Sequence, residues 1–253
     1  MFTLRDCAIK LASNIRKFLK ACVTRFDRES VANIYIRGNG IEIGALHNPL
    51  RIQKSAKVKY IDRMSIPGLR KQYPDLDSKK LVDVDIIDDG EQLAKILDST
   101  QDFVIANHFL EHCQNPIGAI RNMLRVLKKG GVLYLIIPDK RYTFDIDRPE
   151  TSIEHILRDY QEGPTWFKRQ HLEEWIKYVD KLNDDAAIKQ QISHLMHIDY
   201  SIHYHVWTLT GILEIILVMK NELHFPFELE LFVKHGDEVI IVLRKNCEHV
   251  YNA

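Results

Sequence analysis

The sequence predicts an α/β fold: a mostly parallel sheet with helices between its strands, finished by an antiparallel C-terminal hairpin and carrying a helical insertion. Three observations predict it. Short apolar runs at 40–44, 58–62, 80–85, 103–106 and 132–137 alternate with stretches of helical or turn-rich character, the pattern of βαβ units whose strands are covered on both faces. Two further β-type runs, 227–233 and 238–243, are separated only by a short loop around His235, Gly236 and Asp237, so they pair as a hairpin at the sheet edge. Between the fifth strand and the last helix, residues 141–204 hold three helical patterns, at 152–161, 165–182 and 185–197.

The elements follow in order. Leu4, Ala8, Leu11, Ile15, Phe18, Leu19, Cys22 and Phe26 recur at helical spacing among basic residues and predict an amphipathic helix. It belongs to an N-terminal segment, 1–32, that covers the main domain (33–253), covers a homodimer partner or lies on a membrane surface. The basic residues Arg5, Lys10, Arg16, Lys17, Lys20 and Arg25 interrupt the apolar run that a signal peptide or a membrane span needs. The first strand ends at Gly44 and gives way to turn chemistry through Asn48 and Pro49, while the second and third close on Asp62 and Asp85. A helix over 91–98 precedes the fourth strand. Asn115 and Pro116 form a helix start, an Asn cap followed by Pro in the first turn, and Ile117, Ile120, Leu124 and Leu127 continue at helical spacing. The run Lys128-Lys129-Gly130-Gly131 reads as the end of that helix, because cations complement the helix dipole there and glycine takes the left-handed cap. Pro138 stops the fifth strand, and a last helix occupies 208–220.

Composition narrows the functions. Of 253 residues 45% are hydrophobic and 28% charged, ample for a buried core. Lysine plus arginine equals aspartate plus glutamate at 35 each, so no global field recruits nucleic acid or an anionic bilayer. The four cysteines lie far apart without a C-x-x-C pair, which argues against a zinc knuckle or disulfide framework and for a cytoplasmic location. Neither the spacing of His203 and His205 nor any other local pattern is specific enough to assign metal ligands.

In open α/β sheets ligands bind beyond the carboxyl ends of the strands, where strand order reverses. That rule selects 42–48, Asp62 with Arg63, 85–89, 106–112 and 138–141. Gly44 lets backbone approach a ligand, and Asp62, twenty positions beyond Glu42 on the next strand, is placed to accept the hydroxyls of a ribose. Together they suggest an adenosine-containing cofactor.

Two longer runs carry a family resemblance. Residues 102–117, Asp-Phe-Val-Ile-Ala-Asn-His-Phe-Leu-Glu-His-Cys-Gln-Asn-Pro-Ile, and 125–139, Arg-Val-Leu-Lys-Lys-Gly-Gly-Val-Leu-Tyr-Leu-Ile-Ile-Pro-Asp, resemble the fourth and fifth motifs of class I S-adenosylmethionine-dependent methyltransferases. Glu42-Ile43-Gly44 resembles that family's first motif, Asp62 its acidic second and Asp85 the end of its third strand. The resemblance spans about 40–245 and implies a Rossmann-like class I methyltransferase fold with S-adenosyl-L-methionine as cofactor. It further implies that Gly44 and Ala45 line the methionine part and that Asp62, beside Arg63, holds the ribose. Asp85, Ile86 and Ile87 would then border the adenine, and Asn107 would sit under the sulfonium. One departure stands out: where the family carries three alternating glycines, Leu46 and Asn48 occupy the later two places, and Asn48 is the residue expected to adopt positive φ. The runs 42–50, Glu-Ile-Gly-Ala-Leu-His-Asn-Pro-Leu, and 138–145, Pro-Asp-Lys-Arg-Tyr-Thr-Phe-Asp, resemble bacterial methyltransferases encoded with surface-polysaccharide enzymes.

Methyl transfer is an in-line displacement, so the protein must align the acceptor and remove its proton. A neutral histidine suits a hydroxyl acceptor, and the expected order of candidates is His205, His108, then His203. His112, Lys140, Arg141 and Tyr142 are expected to face the acceptor, with the two cations suited to a phosphate or carboxylate. Glu111 and His112 also resemble magnesium-binding residues of quinone-pathway members of the family. The insertion is expected to form a lid. The reading is methylation of a hydroxyl on a sugar, nucleotide sugar or phosphorylated precursor of a surface glycan. A small-molecule or lipid-quinone methyltransferase, and an inactive methyltransferase-like scaffold, are the alternatives.

Overall fold

The computed structural model describes residues 26–247, so the amphipathic pattern ending at Phe26 lies, that residue apart, outside the described residues. Asp27 caps the first described helix, α1 (Arg28–Tyr35), by accepting the Ser30 N–H, and the helix buries Val31 and Ala32 against the sheet. There follow β1 (Asn39–Ile43), β2 (Lys57–Asp62), α2 (Ile66–Gln72), β3 (Ile86–Ile87) and β4 (Gln101–Asn107). The second half holds α3 (Pro116–Val126), β5 (Leu127–Pro138), α4 (Ile153–Glu162), α5 (Lys168–Tyr178), α6 (Asp185–His197) and α7 (Leu209–Asn221), then β6 (Phe227–His235) and β7 (Glu238–Lys245).

One seven-stranded sheet runs in the order β3-β2-β1-β4-β5-β7-β6. β1 through β5 pair in parallel and β7 is antiparallel to both β5 and β6, as the alternating pattern and the hairpin loop predict. Strand order reverses between β1 and β4, and the carboxyl ends of those two strands therefore flank the crevice where ligands enter such sheets. Apolar residues cover both faces: Ile41, Val104, Leu133 and Ile241 face α3 and α7, while Phe103, Ile105, Tyr134 and Val242 face α1. The insertion has its own small core of Leu172, Ile176, Ile188, Ile192, Leu195, Ile202 and Tyr204. No helix among the described residues is long and apolar enough to cross a membrane.

Four features depart from expectation. The third strand is only Ile86–Ile87; Leu81 and Val84, read as strand residues over 80–85, instead pack with Leu69 and Leu76 in a satellite cluster beside α2. α2 itself was not anticipated, although Ser65 and Pro67 mark its start. Residues 91–98 form turns and no helix, because side chains take the backbone groups a helix would use. Arg125 donates to the carbonyls of Gln92, Leu93 and Ile96, and Asp88 accepts the Lys95 N–H. Finally α3 passes directly into β5 at Leu127. Lys128 to Gly131 form an irregularity inside that strand, between the pairs Gln101–Leu127 and Phe103–Val132, with Gly130 at φ +74°.

Candidate active site

Residues at the carboxyl ends of β1, β2 and β4 meet around a cavity of about 350 Å³. Gly44, Asp62, Arg63, His108 and His112 line it together with Leu46, Gly90, Phe109, residues of α2 and the turn after it, and Ser201 from the insertion. Gly44 stands at φ +66° and donates its N–H to the Ile61 carbonyl (2.9 Å). Its Cβ position is nearly open, with only Phe109 Cδ2 at 3.8 Å, so backbone conformation is what calls for glycine there. Two residues on, Leu46 adopts φ +49°, and Asn48, which donates its N–H to Ala45 O, is not among the positive-φ residues. The expectation for Asn48 is thus corrected. A leucine holds the left-handed conformation at a cost of roughly 1–2 kcal/mol for an L-residue.

Two acidic groups of the site sit in unusual surroundings. Glu42 is 1% exposed; its Oε1 accepts the Leu50 N–H (2.9 Å) and its Oε2 has no partner, and burial raises its pKa to about 7. Burial also raises the Asp62 carboxyl, against the opposing pull of the Arg63 and Met64 N–H groups. On the neighbouring strand Asn107 Oδ1 is buried and equally unpartnered. Glu42 pairs with Ile105, so Glu42 and Asn107 project from the same sheet face, and Asn107 lines a second hollow of about 180 Å³ with Arg28, Asn48 and Arg51. Glu42 Oε2 and Asn107 Oδ1 are thus two buried acceptors on one face of adjacent strands that lack a donor, a costly arrangement.

The other predicted cofactor residues lie nearby but face elsewhere. Asp85 caps the sheet edge by accepting the Tyr60 N–H (2.8 Å), Ile86 packs on the core and Ile87 is exposed. The cavity wall on that side is Gly90, where a Cβ would strike Ile43 Cγ2 and Phe109 Cζ at 2.6 Å. A glycine one turn beyond the strand was the available signal. Arg63 spans to the insertion, donating to Asp199 O (3.1 Å) and to the Tyr73 hydroxyl (3.0 Å).

The histidines divide. His108 holds φ +48°, with Nε2 2.9 Å from Glu238 Oε2 and Nδ1 3.5 Å from Glu111 Oε1. Burial opposes its charge, but hydrogen bonds to Glu111 and Glu238 outweigh that and raise its pKa to about 9. Glu238, 2% exposed, would be raised by burial, yet His108 and Arg28 hold it down to about 2. That shift favours the charged ring at neutral pH, although Arg28 Nη2 also lies 3.0 Å from Nε2. His112 is the opposite case: burial lowers its pKa to about 4, and its Nδ1 lies 3.0 Å from Ile202 O and 3.2 Å from Ser201 Oγ. A carbonyl partner requires Nδ1–H as donor, which leaves Nε2 unprotonated. His203 Nδ1 is 2.7 Å from Asp145 Oδ2, and its ring packs edge-on to His112. His205 is completely buried and stacks on Trp207. Neither His203 nor His205 lines the cavity.

The residues after β5 are also engaged. Fully buried Asp139 accepts from Arg141 N, Nε and Nη2, Lys140 Nζ donates to Ile146 O (2.8 Å), and the exposed Tyr142 hydroxyl receives Lys234 Nζ (3.1 Å). None of Lys140, Arg141 and Tyr142 lines the cavity.

A Rossmann-like sheet in this order, with a glycine turn after β1, an acid after β2 and a cavity over both, defines a class I methyltransferase. The chain belongs to the methyltransferase domain family, whose model matches residues 26–180, more than half of its length. No protein of curated function matches the sequence. Among solved structures, a Rhodobacter sphaeroides protein described as a Zn-dependent alcohol dehydrogenase shares 15% identity over 85% of this chain and 87% of its own, with a TM-score of 0.51. A SAM-dependent methyltransferase from Methanosarcina mazei shares 16% identity over 84% and 94%, with a TM-score of 0.44. One from Thermotoga maritima shares 16% over 83% of each chain, with a TM-score of 0.42. The enzyme is a methyltransferase and its cofactor is S-adenosylmethionine.

Proposed function

We propose that the chain transfers a methyl group to a hydroxyl of a sugar, nucleotide sugar or phosphorylated precursor of a bacterial surface glycan, working in the cytoplasm on small molecules. The observation that carries the hydroxyl reading is His112: an uncharged imidazole in the cavity wall whose Nδ1–H is tied to Ile202 O, so that Nε2 is left to accept a proton. Arg63 and Ser201 on the same wall supply donors that suit a hydroxyl-rich acceptor. The surface-glycan class is supported by the runs 42–50 and 138–145.

When bound, S-adenosylmethionine supplies an electrophilic methyl carbon. The residues present fit it. Glu42 and Asn107, both with an orphaned acceptor atom, would hold the α-ammonium, and Gly44 and Ala45 would give it backbone room. Asp62 would accept from the ribose hydroxyls, with Arg63 beside it. The apolar end of the cavity, formed by Leu46, Leu69 and Leu76 with Gly90 opposite, would take the adenine faces, and Asp85 and Ile86 would support that wall from behind while Ile87 borders solvent. His112 would receive the acceptor proton, with the His108 imidazolium fixing the charge of Glu111 and Glu238 behind it. Lys140, Arg141 and Tyr142 would meet a charged part of the acceptor only after leaving Ile146, Asp139 and Lys234.

The test is mass spectrometry of purified enzyme incubated with S-adenosylmethionine and separate pools of nucleotide sugars, sugar phosphates and quinol precursors. A one-methyl mass gain in a sugar pool, lost on treatment that cleaves O-methyl ethers, is expected. Transfer only to the quinol pool would replace this reading with the lipid-quinone alternative.

A further inference from the structure

The geometry points to a buried metal site in the insertion: His155, Asp159, His171 and His205 converge as three imidazoles and one carboxylate able to hold a divalent transition-metal ion, zinc foremost. One ligand atom from each of the four lies within 4.8 Å of every other. His155 Nε2 is 3.1 Å from His171 Nε2 and 3.2 Å from Asp159 Oδ2, and His205 Nε2 is 3.6 Å from that same oxygen. Ligand atoms held at about 2.0–2.1 Å from a tetrahedral ion stand about 3.3 Å apart, close to these separations.

The local construction supports it. His155 and Asp159 are spaced i, i+4 on α4 and so share one helix face; His171 stands on α5, and His205 arrives on the segment that leads into α7. His171, His205 and Asp159 are each 5% exposed or less. Within this cluster both oxygens of Asp159, Nδ1 of His171 and Nδ1 of His205 have no hydrogen bond, an unusual concentration of unsatisfied buried polar atoms. A cation held by the facing Nε2 atoms and by Asp159 answers the carboxylate's part of that deficit, giving its buried oxygens the positive partner they lack and leaving Nδ1 of His171 and His205 as the protonated nitrogens. Imidazole and carboxylate ligands without thiolate suit zinc, and also bind iron, nickel and copper.

Three of the four ligands are buried, His155 is half-buried and none of them lines the cavity, so the ion is a structural clip. It joins α4 and α5 to the return segment, whose Tyr204 and His205 N–H groups both donate to Glu111 O (2.8 and 3.3 Å). Glu111 precedes His112. Loading the site thereby sets the wall on which His112 is carried.

The experiment uses the tag-free full chain, stripped with chelator and titrated with Zn²⁺ alone by calorimetry, with Co²⁺ as a spectroscopic probe. One equivalent of Zn²⁺ is expected to bind, raising the thermal midpoint, and Co²⁺ is expected to show tetrahedral d–d absorption without a thiolate charge-transfer band. His171→Ala should weaken Zn²⁺ binding at least about 100-fold and remove the thermal gain, since a lost ligand costs more than the 10–100-fold of an outer-shell partner. The Co²⁺ spectrum of the wild-type chain keeps the test decisive if that variant does not fold. Absence of stoichiometric binding, a thiolate band, or binding that survives in His171→Ala and disappears in His203→Ala would each overturn the proposal, the last by moving the ion to the separate group formed by Glu111, His112 and His203.

Discussion

Asp62, His112 and His108 sit on the same cavity, and their surroundings separate their roles. Asp62→Ala removes the carboxylate proposed for the ribose, and S-adenosylhomocysteine binding measured by calorimetry should weaken about 10–100-fold, the equivalent of 1–3 kcal/mol for orphaned hydroxyls. His112→Ala should lower turnover by about 10²–10⁴-fold with cofactor affinity nearly unchanged. With its pKa lowered to about 4 by burial, the wild-type pH profile of kcat/KM should stay level through pH 6.5 and fall only towards pH 4. A midpoint near 6.5 would assign the proton to a more exposed histidine. His108 makes a different prediction, about stability. Its folded pKa, about 9, lies above its ordinary 6.5, so the stabilisation is complete below about pH 6.5 and is lost as pH rises through about 9. The thermal midpoint should decline between pH 7 and 10, and Glu238→Gln should lower the neutral-pH midpoint while flattening that decline. A wild-type curve that is level over that range would show that the pair contributes nothing.

At the scale of elements, apolar period and turn chemistry carried the sheet well, and hydrogen bonds from outside the segment decided the missing helix at 91–98. Asn115 accepts the Gly118 N–H (2.8 Å) at the start of α3, and Gly236 at φ +61° turns the hairpin, both as their residue types predict. Residues 91–98 lack a helix because Arg125 and Asp88, distant in chain or turn, compete for their backbone groups, which no window of that segment reveals. β1 is held by a contact of the same non-local kind. A Cβ on Gly40 would lie 2.3 Å from Phe103 O on β4. Gly40→Ala should therefore force the two central strands apart and cost about 1–3 kcal/mol in chemical denaturation, the usual range for overpacking a tight interior. A variant as stable as wild type would mean that β1 can shift along its neighbours without loss.

For the whole molecule, the question is how the insertion meets the sheet. Arg148 is its centre: fully buried, it donates to Asp145, Glu174 and the carbonyls of His203 and Tyr204, fixing the return segment that places Ser201 and Ile202 against His112. Arg63 makes the link from the cofactor side, through Asp199 and Tyr73. If the insertion acts as a lid over the acceptor, Arg63→Ala should speed amide exchange over 198–204 and lower kcat/KM, while global stability changes by less than about 1 kcal/mol, as befits a partly exposed ion pair. Unchanged exchange in that segment would remove Arg63 as the tie.

What the sequence determined by itself was whatever depends on near neighbours in the chain. Strand period, the capped start of α3, the hairpin loop and the positions of Gly44 and Asp62 at strand ends are local properties, so the sheet class and the strand ends that line the cavity were legible. Only the tertiary structure decided which histidine is charged, which is neutral and which is sealed away, because those states depend on Glu238, Ile202 and Gln114, residues separated from His108, His112 and His205 by 130, 90 and 91 positions. Leu46 in the place of a glycine, Gly90 in place of Asp85 at the cavity wall, and four metal-type ligands on three segments belong to the same group. A pKa is set by burial and by the partners that folding brings within hydrogen-bonding distance, and neither quantity exists until the chain has closed on itself.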